Sequence, residues 1–161
     1  MNLLLLRHGK AEERRPAGGT DFSRALVEKG HQQAREAARV LSAAEMLPDL
    51  VLCSPLVRTR QTADAFTMAA RLPGAISQSW LSAGMNPVRA VTELAGFRDF
   101  ETVMLVGHEP DFSQFIEYAL GAAGDCIEVR KGSVTCLEIN PPFRQAVLRF
   151  LLPFKLAKHL E

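Results

Sequence analysis

The sequence is poor in several features that settle a protein's class at once. It has three cysteines in 161 residues, Cys53, Cys126 and Cys136. They are odd in number and none stands in a CxxC pair, which argues against a disulfide framework and against a zinc site. Reduced, buried thiols in a cytoplasmic protein are the expectation. The formal net charge is only +1, so nucleic acid and anionic membrane have no electrostatic case as main partners. No apolar run approaches the ~18 residues of a membrane span. The N-terminal leucines lack a positive stretch before them and a small-residue cleavage site after them, so they are not read as a signal peptide. There is no internal repeat, low-complexity segment or linker. A single domain over 1–161 is expected, with 47% hydrophobic and 23% charged residues supplying a core and an ordinary soluble surface. The closing Leu160-Glu161 fits the start of an expression-vector tag.

What is present begins with Leu3-Leu4-Leu5-Leu6-Arg7-His8-Gly9. A short, fully apolar run reads as a strand buried on both faces, of the kind found in α/β sheets. Ligands bind such sheets at the carboxyl ends of the strands, where Arg7 and His8 stand. Gly9 lets the backbone turn sharply or lets a ligand approach. Taken alone, the same residues also read as a solvated strand end and an incidental turn.

Lys10 to Ser23 is polar and aperiodic, with Pro16, Gly18 and Gly19, and reads as a loop over that site. Glu12, Glu13, Arg14 and Arg15 are its rim charges, and ligand-dependent mobility is expected of it. Ala34, Ala37, Ala38, Leu41 and Ala44 recur at helical spacing and predict a helix over 28–44, ended by Pro48. His31 near its start reads as surface. Leu50 to Cys53 is a second buried strand. Ser54-Pro55 then reads as an N-cap and first helical residue, with the helix running to about Leu72 and closed by Pro73-Gly74. Arg58 falls in its first turn, where helix amides already favour anions; Arg60 reads as an ordinary surface arginine.

Ala75 to Gln78 predicts a short strand, Trp80 to Gly84 a turn, and Pro87 the start of a helix to about Ala95. Thr102 to Val106 is a third apolar strand. It ends in Gly107-His108-Glu109-Pro110 and leads into a helix through Leu120 that buries Phe112, Phe115, Ile116 and Ala119. Ser133 to Ile139 and Ala146 to Leu152 pair as an antiparallel hairpin across Asn140-Pro141-Pro142. The expected fold is thus a three-layer α/β/α domain with a mostly parallel sheet and a C-terminal antiparallel hairpin.

Each of the three apolar strands ends in polar groups: Arg7 and His8, then Ser54 with Arg58, then His108. In a parallel sheet with helical crossovers these ends share one edge. Two arginines can hold phosphoryl oxygens bidentately. A neutral imidazole can attack phosphorus and form a phosphohistidine that water hydrolyses. A second imidazole can donate to a transferring oxygen.

In these residues the chain resembles the histidine phosphatase superfamily, the phosphoglycerate mutase-like fold, and within it the short SixA-type phosphohistidine phosphatases. The family's opening Arg-His-Gly is Arg7-His8-Gly9. Its next stretch is met by Asp21, Arg24, Leu26, Gly30 and Ala34. Its Ser-Pro-x-x-Arg helix start is Ser54, Pro55 and Arg58, continued by Thr62 and Ala63. Its late Gly-His is Gly107-His108, and Leu148 to Pro153 also resembles the branch. The resemblance implies that His8 is the phosphorylated nucleophile, that Arg7, Arg58 and His108 complete a substrate-binding phosphate pocket, and that no cofactor or metal is needed.

Larger members carry a carboxylic general acid on an insertion after the third strand. Here Leu81 to Met85 holds no carboxylate, and none follows until Glu93. An alkoxide must be protonated as it leaves, whereas imidazole, with a conjugate-acid pKa of ~6.5, needs far less help. The expected substrate is therefore phosphohistidine on a protein, such as a phosphorelay or phosphotransfer protein. Small phosphorylated metabolites are the alternative, and a phospho-ligand binding module without turnover is another. Glu109 is expected to complement a helix N-terminus, or to act as an acid where it reaches the site. A cysteine phosphatase built on Cys53 lacks the Cys-x5-Arg spacing, and Pro55 has no amide hydrogen to offer.

Overall fold

The structure, a computed structural model, describes residues 1–13 and 20–159. Arg14, Arg15, Pro16, Gly18 and Gly19 of the expected loop, and the closing Leu160-Glu161, lie outside the described residues. Among the described residues six strands form one sheet: β1 (Asn2–Arg7), β2 (Leu50–Cys53), β3 (Ile76–Ser77), β4 (Thr102–Gly107), β5 (Val134–Ile139) and β6 (Ala146–Leu152). Their spatial order is β3-β2-β4-β1-β5-β6. β1 is parallel to β4, and β2 is parallel to β3 and β4, while β5 runs antiparallel to both β1 and β6. The helices are α1 (Glu28–Ala43), α2 (Val57–Ala70), α3 (Pro87–Leu94), α4 (Asp111–Leu120) and α5 (Phe154–Ala157).

The chain first steps outward from β1 through β2 to β3 with α1 and α2 as crossovers, then returns to β4 through α3. Right-handed crossovers that reverse direction place their helices on opposite faces. α1 accordingly packs with α2 and α5, and α3 with α4. The four leucines of β1 are divided between the two layers. Leu3 and Leu5 enter one core with Phe112, Phe115 and Leu94, and Leu4 and Leu6 enter the other with Ala34, Ala38 and Phe66. All four are 0% exposed, which explains the unbroken apolar run. Since both faces are apolar, hydrophobicity alone does not fix the register of β1; its polar ends do.

Several boundaries differ from expectation. α1 ends before Pro48 is reached, at Glu45, which adopts a left-handed conformation with φ 56°. The amide of Met46 then bonds to the Leu41 carbonyl at 2.8 Å, so Ala44 lies exposed outside the apolar stripe. α2 starts at Val57 with Leu56 as N-cap, because the Ser54 hydroxyl is engaged at 2.7 Å by His108. It ends at Arg71, again left-handed with φ 57°, ahead of Pro73-Gly74. Cys53 and Cys136 are buried as expected, but Cys126 is exposed. The four-residue α5 carries too little periodicity to be read from sequence. No helix of the described residues is long and apolar enough to cross a membrane.

One contact sets the geometry at the end of β1. A Cβ built on Gly9 would lie 2.5 Å from the Gly30 carbonyl oxygen, and one built on Gly30 would lie 2.3 Å from that of Lys10. Backbone meets backbone, so nothing flexible is available to move aside. Overpacking of this kind costs about 1–3 kcal/mol or more. Gly30→Ala is therefore expected to lower unfolding stability in urea by about 2 kcal/mol. Gly74→Ala, where a Cβ would meet nothing within 4 Å, is expected to be neutral or slightly stabilising.

Candidate active site

The strand register brings the expected residues together. Arg7 pairs with Gly107 across β1 and β4, so His8 and His108 are the next residues side by side. Cys53 pairs with Val106, which sets Ser54 beside Gly107. The two imidazole centroids are 5.5 Å apart with planes crossed at 60°. His8 and His108 are 6% and 2% exposed, and Arg58 is 3% exposed, so this is a desolvated cluster rather than a solvated rim.

Hydrogen bonds assign the tautomers. His8 Nδ1 lies 2.7 Å from the Gly9 carbonyl oxygen, which can only accept. Nδ1 therefore carries the hydrogen and Nε2 keeps the lone pair. His108 Nδ1 lies 3.3 Å from Arg58 Nη2, which can only donate, so here Nδ1 is the acceptor. His108 Nε2–H then donates to Ser54 Oγ at 2.7 Å. A serine hydroxyl can also donate, so Ser54 is able to support either tautomer of His108.

Arg58 is positioned by Asp21 of a short 3-10 turn at Asp21–Ser23. Its Nη1 donates to the Asp21 carbonyl at 2.7 Å and its Nη2 to Oδ2 at 3.0 Å. Arg24 holds the other carboxylate oxygen through Nε at 2.9 Å. Burial opposes ionisation of Asp21, but the Arg24 hydrogen bond and the Arg58 and Arg24 charges prevail and hold it at about 2. Thr62 Oγ1 donates to the Arg58 carbonyl at 2.7 Å and accepts from the Gly9 amide at 3.1 Å, stitching α2 to the end of β1. Arg7 donates through Nη1 to the Val129 carbonyl at 2.6 Å, and its Nε is buried with no hydrogen-bond partner among the described residues. A buried guanidinium N–H without an acceptor is expensive, and an anion is the natural group to receive it.

Both histidines are neutral at any ordinary pH. Burial is the largest cause for His8; the charges of His108, Arg58 and Arg7 add to it against the Gly9 bond, and the ring is lowered to about 3. His108 is lowered to about 4, first by burial and then by Arg58. For His8 the arginines act in the same direction as desolvation, which is the larger effect.

The carboxylates nearby are engaged. Glu109 accepts from the Ser113 amide at 3.0 Å and its hydroxyl at 2.8 Å, so it serves the N-terminus of α4, and burial raises its pKa. Asp111 accepts from the Gly84 amide at 3.0 Å and thereby pins the segment between β3 and α3. Cys53 sits in the core with its thiol pushed up to about 11 by burial, the opposite of what a thiolate nucleophile needs. Among the described residues no group of three His, Cys, Asp or Glu is placed to hold a metal ion.

Residues 3–80 match the histidine phosphatase superfamily (branch 1). An uncharacterized protein of Picosynechococcus is 29% identical over 141 residues, which cover 83% of this chain and 82% of that one. A candidate SixA phosphohistidine phosphatase from Agrobacterium tumefaciens has a TM-score of 0.80 at 26% identity, covering 94% of this chain and 97% of its own. The protein histidine phosphatase SixA in complex with tungstate reaches 0.84 at 18% identity, covering 97% and 99%. A phosphoserine phosphatase from Entamoeba histolytica reaches 0.73 at 16%, covering 96% and 98%. The last two identities show the fold alone: the chain has the histidine phosphatase fold.

The neutral histidines carry a stability consequence with a definite sign. Unfolded, each titrates near 6.5; folded, they titrate at about 3 and about 4. Between those limits the unfolded chain binds more protons, so stability rises with pH and is lost as pH falls below about 6.5. His108→Asn is expected to flatten the dependence of unfolding free energy on pH by about one proton near pH 5, on the order of 1.4 kcal/mol per pH unit. Urea titrations at pH 5 and 7 measure this slope, which a purely steric effect of the substitution would leave unchanged.

Proposed function

We propose that this domain with the histidine phosphatase fold is a phosphatase that hydrolyses phosphohistidine on a protein through a covalent intermediate on His8. The observation that carries the reading is the His8 tautomer: Nδ1–H is spent on the Gly9 carbonyl, leaving a neutral Nε2 lone pair among Arg7, Arg58 and His108. Nε2 attacks phosphorus as the substrate's N–P bond breaks. A substrate imidazole protonated on its other nitrogen leaves as neutral imidazole, so no strong acid is required. Water then attacks phosphorus, the Nε2–P bond breaks, and phosphate departs. Arg7 and Arg58 hold the equatorial oxygens, and His108 orients Arg58 by accepting from its Nη2 at Nδ1 while Ser54 holds the Nε2–H.

The substrate class is supported by the state of the carboxylates. Glu109 and Asp111 both have their oxygens committed to α4 and its neighbouring segment. A poor alkoxide leaving group therefore finds neither of these two carboxylates free to protonate it, whereas imidazole needs no such help. Cytoplasmic location and metal-independent turnover belong to the same reading.

Rapid quench with labelled phosphohistidine peptide is expected to trap label on the peptide containing Arg7-His8-Gly9, stable in alkali and labile in acid. His8→Ala is expected to remove both label and turnover. Native turnover in that variant, or label on Ser54 or Cys53, overturns the assignment. Binding without any turnover identifies a phospho-ligand module, and faster turnover of sugar or nucleotide phosphates than of phosphohistidine identifies a metabolite phosphatase. Arg58→Lys is expected to lower kcat/KM about 100-fold or more with the circular dichroism spectrum unchanged, since lysine cannot reach Asp21, His108 and a phosphate oxygen together.

A further inference from the structure

Beside the phosphate pocket, on the other side of Arg7, lies an open cleft of about 360 Å³. Arg7, Lys29, Arg130, Lys131 and Lys155 line it, together with one carboxylate, Glu128. That carboxylate is already paired with Arg130 at 3.1 Å. Among the described residues no acidic group lies within ion-pair distance of Lys29, Lys131 or Lys155. The whole chain has a net charge of only +1, so this concentration of cations is local and not a general property of the surface.

The cleft is built into the same framework as the candidate active site. Gln33, 5% exposed, accepts the Lys10 amide at 2.7 Å and donates to the Lys131 carbonyl at 2.9 Å. Gly132 follows in a left-handed conformation with φ 74°, and its amide donates to the Arg7 carbonyl at 3.1 Å. A Cβ on Gly132 would lie 2.8 Å from Gln33 Cβ, so the turn carrying Lys131 is pressed against α1 and against the end of β1. The electrostatics are continuous as well. The Lys131 ammonium is held below its ordinary value by burial first and then by the charges of Arg7, Arg24, Lys10 and Arg58. Cleft and phosphate pocket share one positive field.

We propose that this cleft is a docking site for the acidic surface surrounding the phosphorylated side chain of a protein substrate. The inference rests on the phosphatase reading above and adds the substrate's surroundings to it. Its cations stand on separate segments: Lys29 in the first turn of α1, Arg130 and Lys131 before β5, and Lys155 on α5. Lys29, Arg130, Lys131 and Lys155 are all exposed. A small anion is held by buried, converging donors such as those at Arg58. Exposed lysines spread around an open cleft instead attract a broad negative surface and orient it, so that its phosphoryl group meets Arg7 and His8.

The test uses the full chain and two synthetic phosphohistidine peptides, one flanked by Glu and Asp and one by Gly and Ser. The wild type is expected to prefer the acidic peptide about tenfold in kcat/KM at low salt, with the preference collapsing at about 0.5 M salt. The charge reversal Lys29→Glu, Lys131→Glu, Lys155→Glu is expected to abolish that preference through KM. It should leave kcat, and turnover of the Gly/Ser peptide, within about twofold of wild type. Equal turnover of the two peptides by the wild type, or an unchanged preference after reversal, overturns the proposal. So does a preference that appears only with small bisphosphorylated compounds. If neither peptide is hydrolysed, the phosphatase reading fails and the cleft is judged by anisotropy of the labelled, unphosphorylated acidic peptide. Binding that the reversal weakens then supports the docking site, and no binding refutes it.

Discussion

Gly9 and Gly30 meet backbone to backbone, and the candidate site depends on that approach. It lets α1 begin directly against the turn that follows β1. His8 is thereby held at the strand end with its Nδ1 on the Gly9 carbonyl, and the Gly9 amide is left facing Thr62. Thr62 in turn bonds to the carbonyl of Arg58. A disturbance at either glycine thus reaches the tautomer of one residue and the placement of another. Two glycines that are 21 positions apart in the chain act as a single structural feature.

The electrostatics of the site follow from desolvation more than from pairing. Two imidazoles, two guanidiniums and the carboxylate of Asp21 are gathered at one sheet edge. The histidines escape the cost of burial by staying neutral. Arg58 cannot lose its proton and is balanced by Asp21, which Arg24 also holds. The neutral histidines make the fold sensitive to acid, and the same neutrality leaves each ring with one nitrogen free of hydrogen.

The fold was largely legible because its strands are short, apolar and terminated by polar residues. Leu3 to Leu6, Leu50 to Cys53 and Thr102 to Val106 identified the parallel strands, and their ends identified Arg7, His8, Arg58 and His108. The failures have specific physical causes. Ser54 followed by Pro55 carries the local signature of a helix start, but its hydroxyl serves a histidine 54 positions later in the sequence. Pro48 is a strong helix breaker, yet α1 had already ended at a left-handed glutamate. Asp21 and Thr62 stood in stretches that resembled the family, so a signal for them existed, but their tasks depend on contacts that no local pattern encodes. Gln33 gave no signal: on a helix face otherwise lined with alanine it reads as an ordinary polar residue, and only the fold brings Lys10 and Lys131 to its two ends.

The segment between β3 and α3 is short, and Asp111 fastens it by accepting the Gly84 amide on both carboxylate oxygens. It belongs to neither the β1–α1 junction nor α2, where His8 and Arg58 are anchored. Lengthening a surface connection costs little, about 0.6 kcal/mol for each doubling of its length. A longer segment at this point would release Asp111 and carry new side chains over the pocket while leaving Gly9, Gly30 and Thr62 undisturbed. Architecture of this kind separates what is inherited from what is free to vary. The edge that carries His8, Arg58 and His108 is fixed by buried contacts, and the surface connection beside it is open to revision.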